Sequence, residues 1–159
     1  IPVYYNHLAT GRPNDPQKKE RYLSKYLDIP NEPLYPFGYG LSYTGFTISD
    51  VILSSDRLTE NGEITASVCI QNTGEREGSD VLQLYIRDVT ASVARPVKEL
   101  KGIEKVSLKP GEKKEISFRI TEEMLRFVRA DGSYGSEPGK FRVWISDSSD
   151  SGVYQEFIL

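Results

Sequence analysis

Ile64, Ala66, Val68 and Ile70 alternate without a break with Thr65, Ser67 and Cys69. A period of two puts the four apolar side chains on one face of a strand and the polar ones on the other, so the segment belongs in a sheet with one buried face. The pattern returns at Val81 to Arg87, where Leu82, Leu84 and Ile86 oppose Gln83, Tyr85 and Arg87, and in Phe141, Val143 and Ile145 against Arg142, Trp144 and Ser146. Asn61-Gly62, Asn72-Thr73-Gly74, Lys109-Pro110-Gly111, Ala130-Asp131-Gly132 and the serine-rich stretch from Asp147 to Gly152 separate the runs as turns. Further strands are expected at Phe46 to Leu53 with a slip at Asp50, and at Glu99 to Leu108, Glu115 to Ile120, Arg126 to Val128 and Val153 to Leu159. About seven or eight short strands with no sustained helix describe an all-β sandwich of the fibronectin type III or immunoglobulin kind, with a closed barrel as the competitor. Trp144 faces away from its strand's aliphatic set, which calls for a covering loop or a neighbouring domain. Thr121 to Leu125 reads as one helical turn, with Thr121 as N-cap and Glu122 and Glu123 facing solvent near the positive end of the dipole.

The first forty-five residues follow other rules. Glu32 to Phe46 reads EPLYPFGYGLSYTGF, in which Pro33 and Pro36 forbid a helical ladder and Gly38, Gly40 and Gly45 permit unusual backbone angles. Rings spaced this way clamp an irregular strap of chain to a neighbouring surface. Tyr35, Phe37, Tyr39, Tyr43 and Phe46 are therefore candidates for an interface with another domain; stacking on the faces of sugars is the alternative use. Gln17 to Leu27 carries a narrow helical stripe (Tyr22, Leu23, Tyr26, Leu27) and reads equally as extended chain with docking aromatics. Ile1 to Tyr5 looks like the interior of a strand whose sheet lies in other sequence, so the chain is expected to be a piece of a longer one. The division expected is a last strand of a preceding domain at 1–5, a linker strap at 6–45 and the sandwich at 46–159.

With 159 residues, of which 38% are hydrophobic and 27% charged, the chain has the composition of one ordinary globular domain plus connecting segments. A formal charge of −3 with scattered Lys and Arg argues against a nucleic-acid partner, and no apolar run is long enough for a membrane span. One histidine, His7, and one cysteine, Cys69, cannot build a zinc site, a disulfide or an oriented nucleophile and base. Gly38-Tyr39-Gly40 lacks the strand, helix and third glycine of a dinucleotide turn, and the acids of Asp147 to Asp150 lack the glycine and closing glutamate of a calcium loop. No catalytic residue, cofactor or metal is expected within this chain. In the loop around Val89 to Lys98, Arg95 is a candidate for a bidentate contact with another domain, solvation being its ordinary alternative.

The strap resembles, nearly letter for letter, the start of the C-terminal domain of family 3 glycoside hydrolases, the β-glucosidases and β-xylosidases, and within them the bacterial periplasmic enzymes. The resemblance extends through Thr10-Gly11-Arg12-Pro13, Ser24 to Asp28, Asn72-Thr73-Gly74, Gln83-Leu84-Tyr85, Arg95 to Gly102, Leu108 to Glu112 and Glu137 to Phe141. It departs at Leu125 to Val128, where the family commonly has an aromatic pair with Trp. What it implies is a retaining enzyme removing terminal β-linked glucose or xylose, whose nucleophilic Asp and acid/base Glu lie in domains preceding Ile1. This chain would then be the non-catalytic buttress of those domains, inactive alone, in an exported protein, with homodimer formation left open. A free-standing carbohydrate-binding or adhesion module is the alternative.

Overall fold

The computed structural model describes residues 4–9 and 22–159. Two sheets pack face to face. The first is built on β3 (Glu63–Asn72), which pairs on one side with β1 (Phe46–Ile48) and β2 (Ile52–Leu53) and on the other with β6 (Lys113–Thr121). The second runs in the order β10 (Gln155–Ile158), β9 (Lys140–Ser146), β4 (Gly78–Asp88), β5 (Glu99–Leu108), and every pairing in it is antiparallel. A short hairpin of β7 (Phe127–Val128) and β8 (Tyr134–Gly135) lies in the connection from β6 to β9. This is the open sandwich anticipated from the alternation, not a closed barrel.

The expected inward faces meet in one core. Ile64, Ala66, Val68 and Ile70 of β3 pack with Leu82, Leu84 and Ile86 of β4, with Phe141, Val143 and Ile145 of β9, and with Ile116 and Ile120 of β6. Phe141 and Phe157 stack with centroids 5.3 Å apart where β9 and β10 pair. The slip at Asp50 is a change of register. Phe46, Thr47 and Ile48 lie opposite Asn72, Gln71 and Ile70, whereas Ile52 and Leu53 lie opposite Ser67 and Ala66, one residue out of step. Beyond β2 the chain crosses to the other sheet, where Arg57 bridges Ile158 in parallel and the Leu58 N–H donates to the Ile158 carbonyl at 2.8 Å.

A second irregularity sits between β4 and β5. Leu84 lies opposite Gly102 but Tyr85 opposite Leu100, so Lys101 is an extra residue on β5. Gly102 leaves room for the Phe118 ring of the facing sheet; a Cβ there would stand 3.0 Å from that ring.

Three local expectations are refined. The turn after β6 is a 3₁₀ helix, Glu122–Leu125, with Thr121 at its N-cap as expected, but Thr121 is also the last paired residue of β6, opposite Glu63, and makes no side-chain cap bond. Glu122 is buried: Arg126 donates to it at 2.8 Å from Nε, and the Ser136 hydroxyl donates to its other oxygen. These bonds, the one from Arg126 first, hold its carboxyl below the usual range. The strand expected over 1–5 is not seen at Tyr4 and Tyr5, which occupy a bend and a turn closed by the His7 N–H on the Tyr4 carbonyl at 3.2 Å; Ile1 to Val3 lie outside the described residues. Of the stretch from Gln17 to Leu27, residues 22–27 hold a turn and bends and no helix, in keeping with the non-helical one of the two readings, and 17–21 lie outside the described residues.

Candidate interdomain face

The strap docks on the outer face of the second sheet, over β4 and β9. Its turn at Pro36 to Tyr39 is closed by the Tyr39 N–H on the Pro36 carbonyl at 2.9 Å, with Gly38 third in the turn at a φ of 86°, the left-handed angle a type II turn needs there. The glycine is also required by space, because a Cβ at Gly38 would lie 2.3 Å from Gln83 Nε2 and 2.8 Å from the Asp147 carbonyl oxygen. From the far side the Ser149 N–H donates to the Phe37 carbonyl at 2.8 Å. Phe37 and Tyr5 stand 5.0 Å apart, and Tyr5 meets the ring of Tyr85 edge-on at 5.4 Å.

Beneath the strap the sheet carries a small second core on its nominally polar side. Tyr85 of β4 is 0% exposed, and Trp144 lies opposite it on β9, also buried. Tyr154 covers Trp144 edge-on at 5.4 Å, which settles what shields this ring. Lys98 spans the pair, its Nζ 4.7 Å from the Trp144 centroid and 5.6 Å from that of Tyr85, while donating to the Ser149 carbonyl at 2.5 Å. Burial lowers its ammonium pKa, and Asp150 offsets part of that. The Tyr85 hydroxyl donates to Gln83 Oε1, and Gln83 Nε2 donates to the Asp147 carbonyl at 2.8 Å. Burial, assisted by Tyr5, pushes the Tyr85 phenol up to about 12. It therefore stays a neutral hydrogen-bond donor.

At the C-terminal end of β4 a second part of the N-terminal segment is tied down. Leu8 bridges Pro96, the Ala9 N–H donates to the Arg95 carbonyl at 3.3 Å, and the Val97 N–H donates to the His7 carbonyl at 2.9 Å. The Arg95 guanidinium lies 4.3 Å from the Phe127 centroid and pairs with Glu99 at 2.7 Å. Nearby, burial pushes the Asp88 carboxyl up to about 6; the Thr90 N–H and Arg95 oppose that rise, while Glu137 and Glu99 add to it. Since the folded-state value lies above the ordinary 3.8, Asp88 favours the fold at low pH, and that contribution is lost as pH rises from about 4 through about 6. Asp88→Asn is accordingly expected to be more stable than wild type at pH 7, by on the order of 1 kcal/mol once partial exposure is allowed for, with the gap closing near pH 4. Equilibrium urea unfolding of both proteins across that range checks this; a gap independent of pH counts against it.

The expected interface residues divide into two groups. Tyr35 and Tyr39 form a tilted pair 5.2 Å apart and are 67% and 51% exposed, and Tyr43 is 95% exposed. Phe37 turns one side to Tyr5 and the other outward. Phe46, by contrast, packs against the sandwich core, and Arg95 has its partners within the domain. Residue-type patterns alone missed Lys98, Gln83 and Tyr5. The one available signal was a pair of aromatics, Tyr85 and Trp144, on the polar faces of two strands.

These features have counterparts in known proteins. A fibronectin type III-like domain model matches residues 80–149. The chain is 58% identical over 149 residues to a periplasmic β-glucosidase of Salmonella typhimurium, covering 94% of this chain and 20% of that protein. Its structure superposes on a β-glucosidase from Listeria innocua solved in complex with isofagomine, with a TM-score of 0.92 and 47% identity over 99% of this chain and 22% of that one. The chain belongs to the fibronectin type III-like domains of glycoside hydrolase family 3. A further member is a β-glucosidase of Bacteroides ovatus, 46% identical over 74% of this chain and 16% of the relative. The fibronectin-like chain thus spans between 16% and 22% of the length of these relatives, matching their C-terminal part.

Proposed function

We propose that this chain is the non-catalytic C-terminal buttress of a retaining β-glucosidase-type enzyme acting on terminal β-linked glucose or xylose. The observation that carries the reading is the apolar edge of the strap: Leu27, Leu34, Leu41 and Tyr43 are each at least 86% exposed, although the chain beside them is docked by Gly38 and Phe37. Such a run on a single domain marks a surface covered by a partner. The relatives' remaining length supplies the partner, namely the catalytic domains of the same enzyme. In this reading residues 46–159 form the sandwich, 6–45 the strap between domains, and 1–5 the end of the preceding domain. Tyr35, Phe37, Tyr39 and Tyr43 face the catalytic portion, while Phe46 and Arg95 brace the strap's two attachments from behind.

Exposed leucines between the rings favour a protein partner over a sugar platform, since a sugar face stacks on rings but gains little from isolated aliphatic side chains. The Salmonella relative's name supports a periplasmic location, and among the described residues no helix is long and apolar enough to cross a membrane. The test is hydrolysis of an aryl β-glucoside by the 159-residue chain, by the remaining portion of the parent enzyme, and by the two mixed. The chain alone is expected to give no turnover above the uncatalysed rate, and the mixture is expected to exceed the catalytic portion alone by at least about tenfold, about 1.4 kcal/mol in effective stabilisation. Turnover by this chain alone would remove the non-catalytic assignment.

A further inference from the structure

On the outer face of the second sheet the strap covers only part of the apolar surface. Gly102 turns its missing side chain toward Phe118 of the facing sheet, so Ile103, next along β5, points outward, where it lies opposite Gln83. Val81, opposite Lys105, is its diagonal neighbour on the same face. Ile103 is 64% exposed and Val81 36%. Leu100, brought opposite Tyr85 by the extra residue Lys101, is half-buried on the same side. Outward positions of a solvated antiparallel sheet are ordinarily polar, as Ser79 and Ser107 are at the end of this strip, where their hydroxyls bond at 2.7 Å. Val81, Leu100 and Ile103 break that rule together.

The strip is continuous with the strap. The Gly38 turn sits over Gln83, the cross-strand partner of Ile103, and Ser42 and Thr44 lie beside Gly78 at the start of β4. Leu41, 90% exposed, therefore passes along the stretch of β4 that carries Val81. Aliphatic side chains scattered singly over a surface need no partner, but these adjoin the edge that the reading above assigns to the catalytic portion. Among the described residues Lys105, on the rim of the strip, forms no ion pair, whereas Lys101 is held by Glu99 at 2.6 Å. The chain spans 20% of the Salmonella relative's length, so the covering surface is available within one polypeptide of that size.

We propose that Val81, Leu100 and Ile103 form a second docking strip for the catalytic portion of the parent enzyme, receiving an apolar ridge of that portion with an acidic side chain set against Lys105. This rests on the reading given above and extends its contact from the strap onto the sheet itself. The test is maleimide labelling of Ile103→Cys and of Tyr43→Cys, read at each residue by peptide mass spectrometry, in the isolated chain and in the full-length parent enzyme. Native Cys69, exposed on the first sheet, is the internal control. Ile103→Cys is expected to react at least about tenfold more slowly in the parent enzyme than in the isolated chain, with Cys69 reacting equally in both. Slow Tyr43→Cys beside unslowed Ile103→Cys overturns the strip and leaves the strap's role standing; neither slowed overturns both. Slow Ile103→Cys beside unslowed Tyr43→Cys supports the strip and confines the contact to it. Slowing at Ile103→Cys that disappears when the parent enzyme is diluted about a hundredfold assigns the face to a second copy and overturns the proposal, as does equal slowing at Cys69. Val81→Cys, at the neighbouring position, decides the matter should Ile103→Cys fail to fold.

Discussion

Asn72→Ala is expected to lower the unfolding midpoint by roughly 10 °C, about 3 kcal/mol at the 2–4 °C per kcal/mol typical of chains this long. The side chain is fully buried at the end of β3, and all of its bonding capacity is used inside the domain. Its Nδ2 donates to the carbonyls of Arg76 at 2.7 Å and Leu108 at 2.9 Å, while its Oδ1 accepts from the Thr44 hydroxyl at 2.7 Å and the Gly74 N–H at 3.0 Å. It thereby joins both sheets to the strap's exit at Thr44. Truncation leaves two carbonyls, a hydroxyl and an amide to find new partners away from water, each at a cost of about 1–3 kcal/mol where none is found. Asn72→Asp sharpens the test, because it preserves shape and the accepting oxygen but sets a carboxylate against the two carbonyls. Its loss at pH 7 should match or exceed that of alanine. Calorimetry giving both variants a midpoint within about 2 °C of wild type would show that the network contributes little.

Gly38→Ala is expected to release the strap while leaving the sandwich folded. A left-handed backbone angle costs a non-glycine residue roughly 1–2 kcal/mol, and forcing a methyl into occupied space adds about 1–3 kcal/mol. Since Gln83 and the Asp147 carbonyl occupy that space, the turn must lift. Opening of the docked state should become on the order of a hundredfold easier. Hydrogen exchange would show this at the Tyr39 and Ser149 amides, whose partners are the Pro36 and Phe37 carbonyls, with Ile70 and Val143 unchanged. Gly40→Ala is the matched control, since its Cβ meets nothing within 4 Å and its φ is not positive. Equal exchange in the two variants would mean that the strap is not held by the Gly38 contact.

Legibility in the sequence followed the range of the interactions. The inward faces of β3, β4 and β9 were readable because alternation is local, and each run states its own buried side. The burial of Tyr85 and Gln83 was not, because the chain that covers them lies at Tyr5 and Phe37, far away in sequence and with no periodicity of its own. Glu122 was expected in solvent because its neighbours suggest a helical first turn; its burial depends on Ser136, fourteen residues further on, and on the hairpin that brings it back. That hairpin went half unseen, since β8 is two residues long, too short for any pattern. Arg95 read as an outward-reaching cation because Phe127 and Glu99 are recognisable as its partners only once β5 and β7 are in place. The strap's wording, by contrast, carried the family resemblance directly, and the fibronectin type III-like assignment agrees with it.

The crossing of the chain after β2 bears on how copies of this domain can meet. By laying Arg57 and Leu58 along β10, it occupies one margin of the second sheet with the protein's own backbone. Of the other margins, besides that of β1 and β2, β5 exposes Glu104 and Lys105, and β6 exposes Lys113, Lys114 and Glu115. A strand approaching either would have to bring charged side chains of both signs into register, which guards against sheet extension from molecule to molecule. Self-association by backbone zippering is thus discouraged at three of the four borders, which favours contacts with other polypeptides through side chains on the domain's faces and ends.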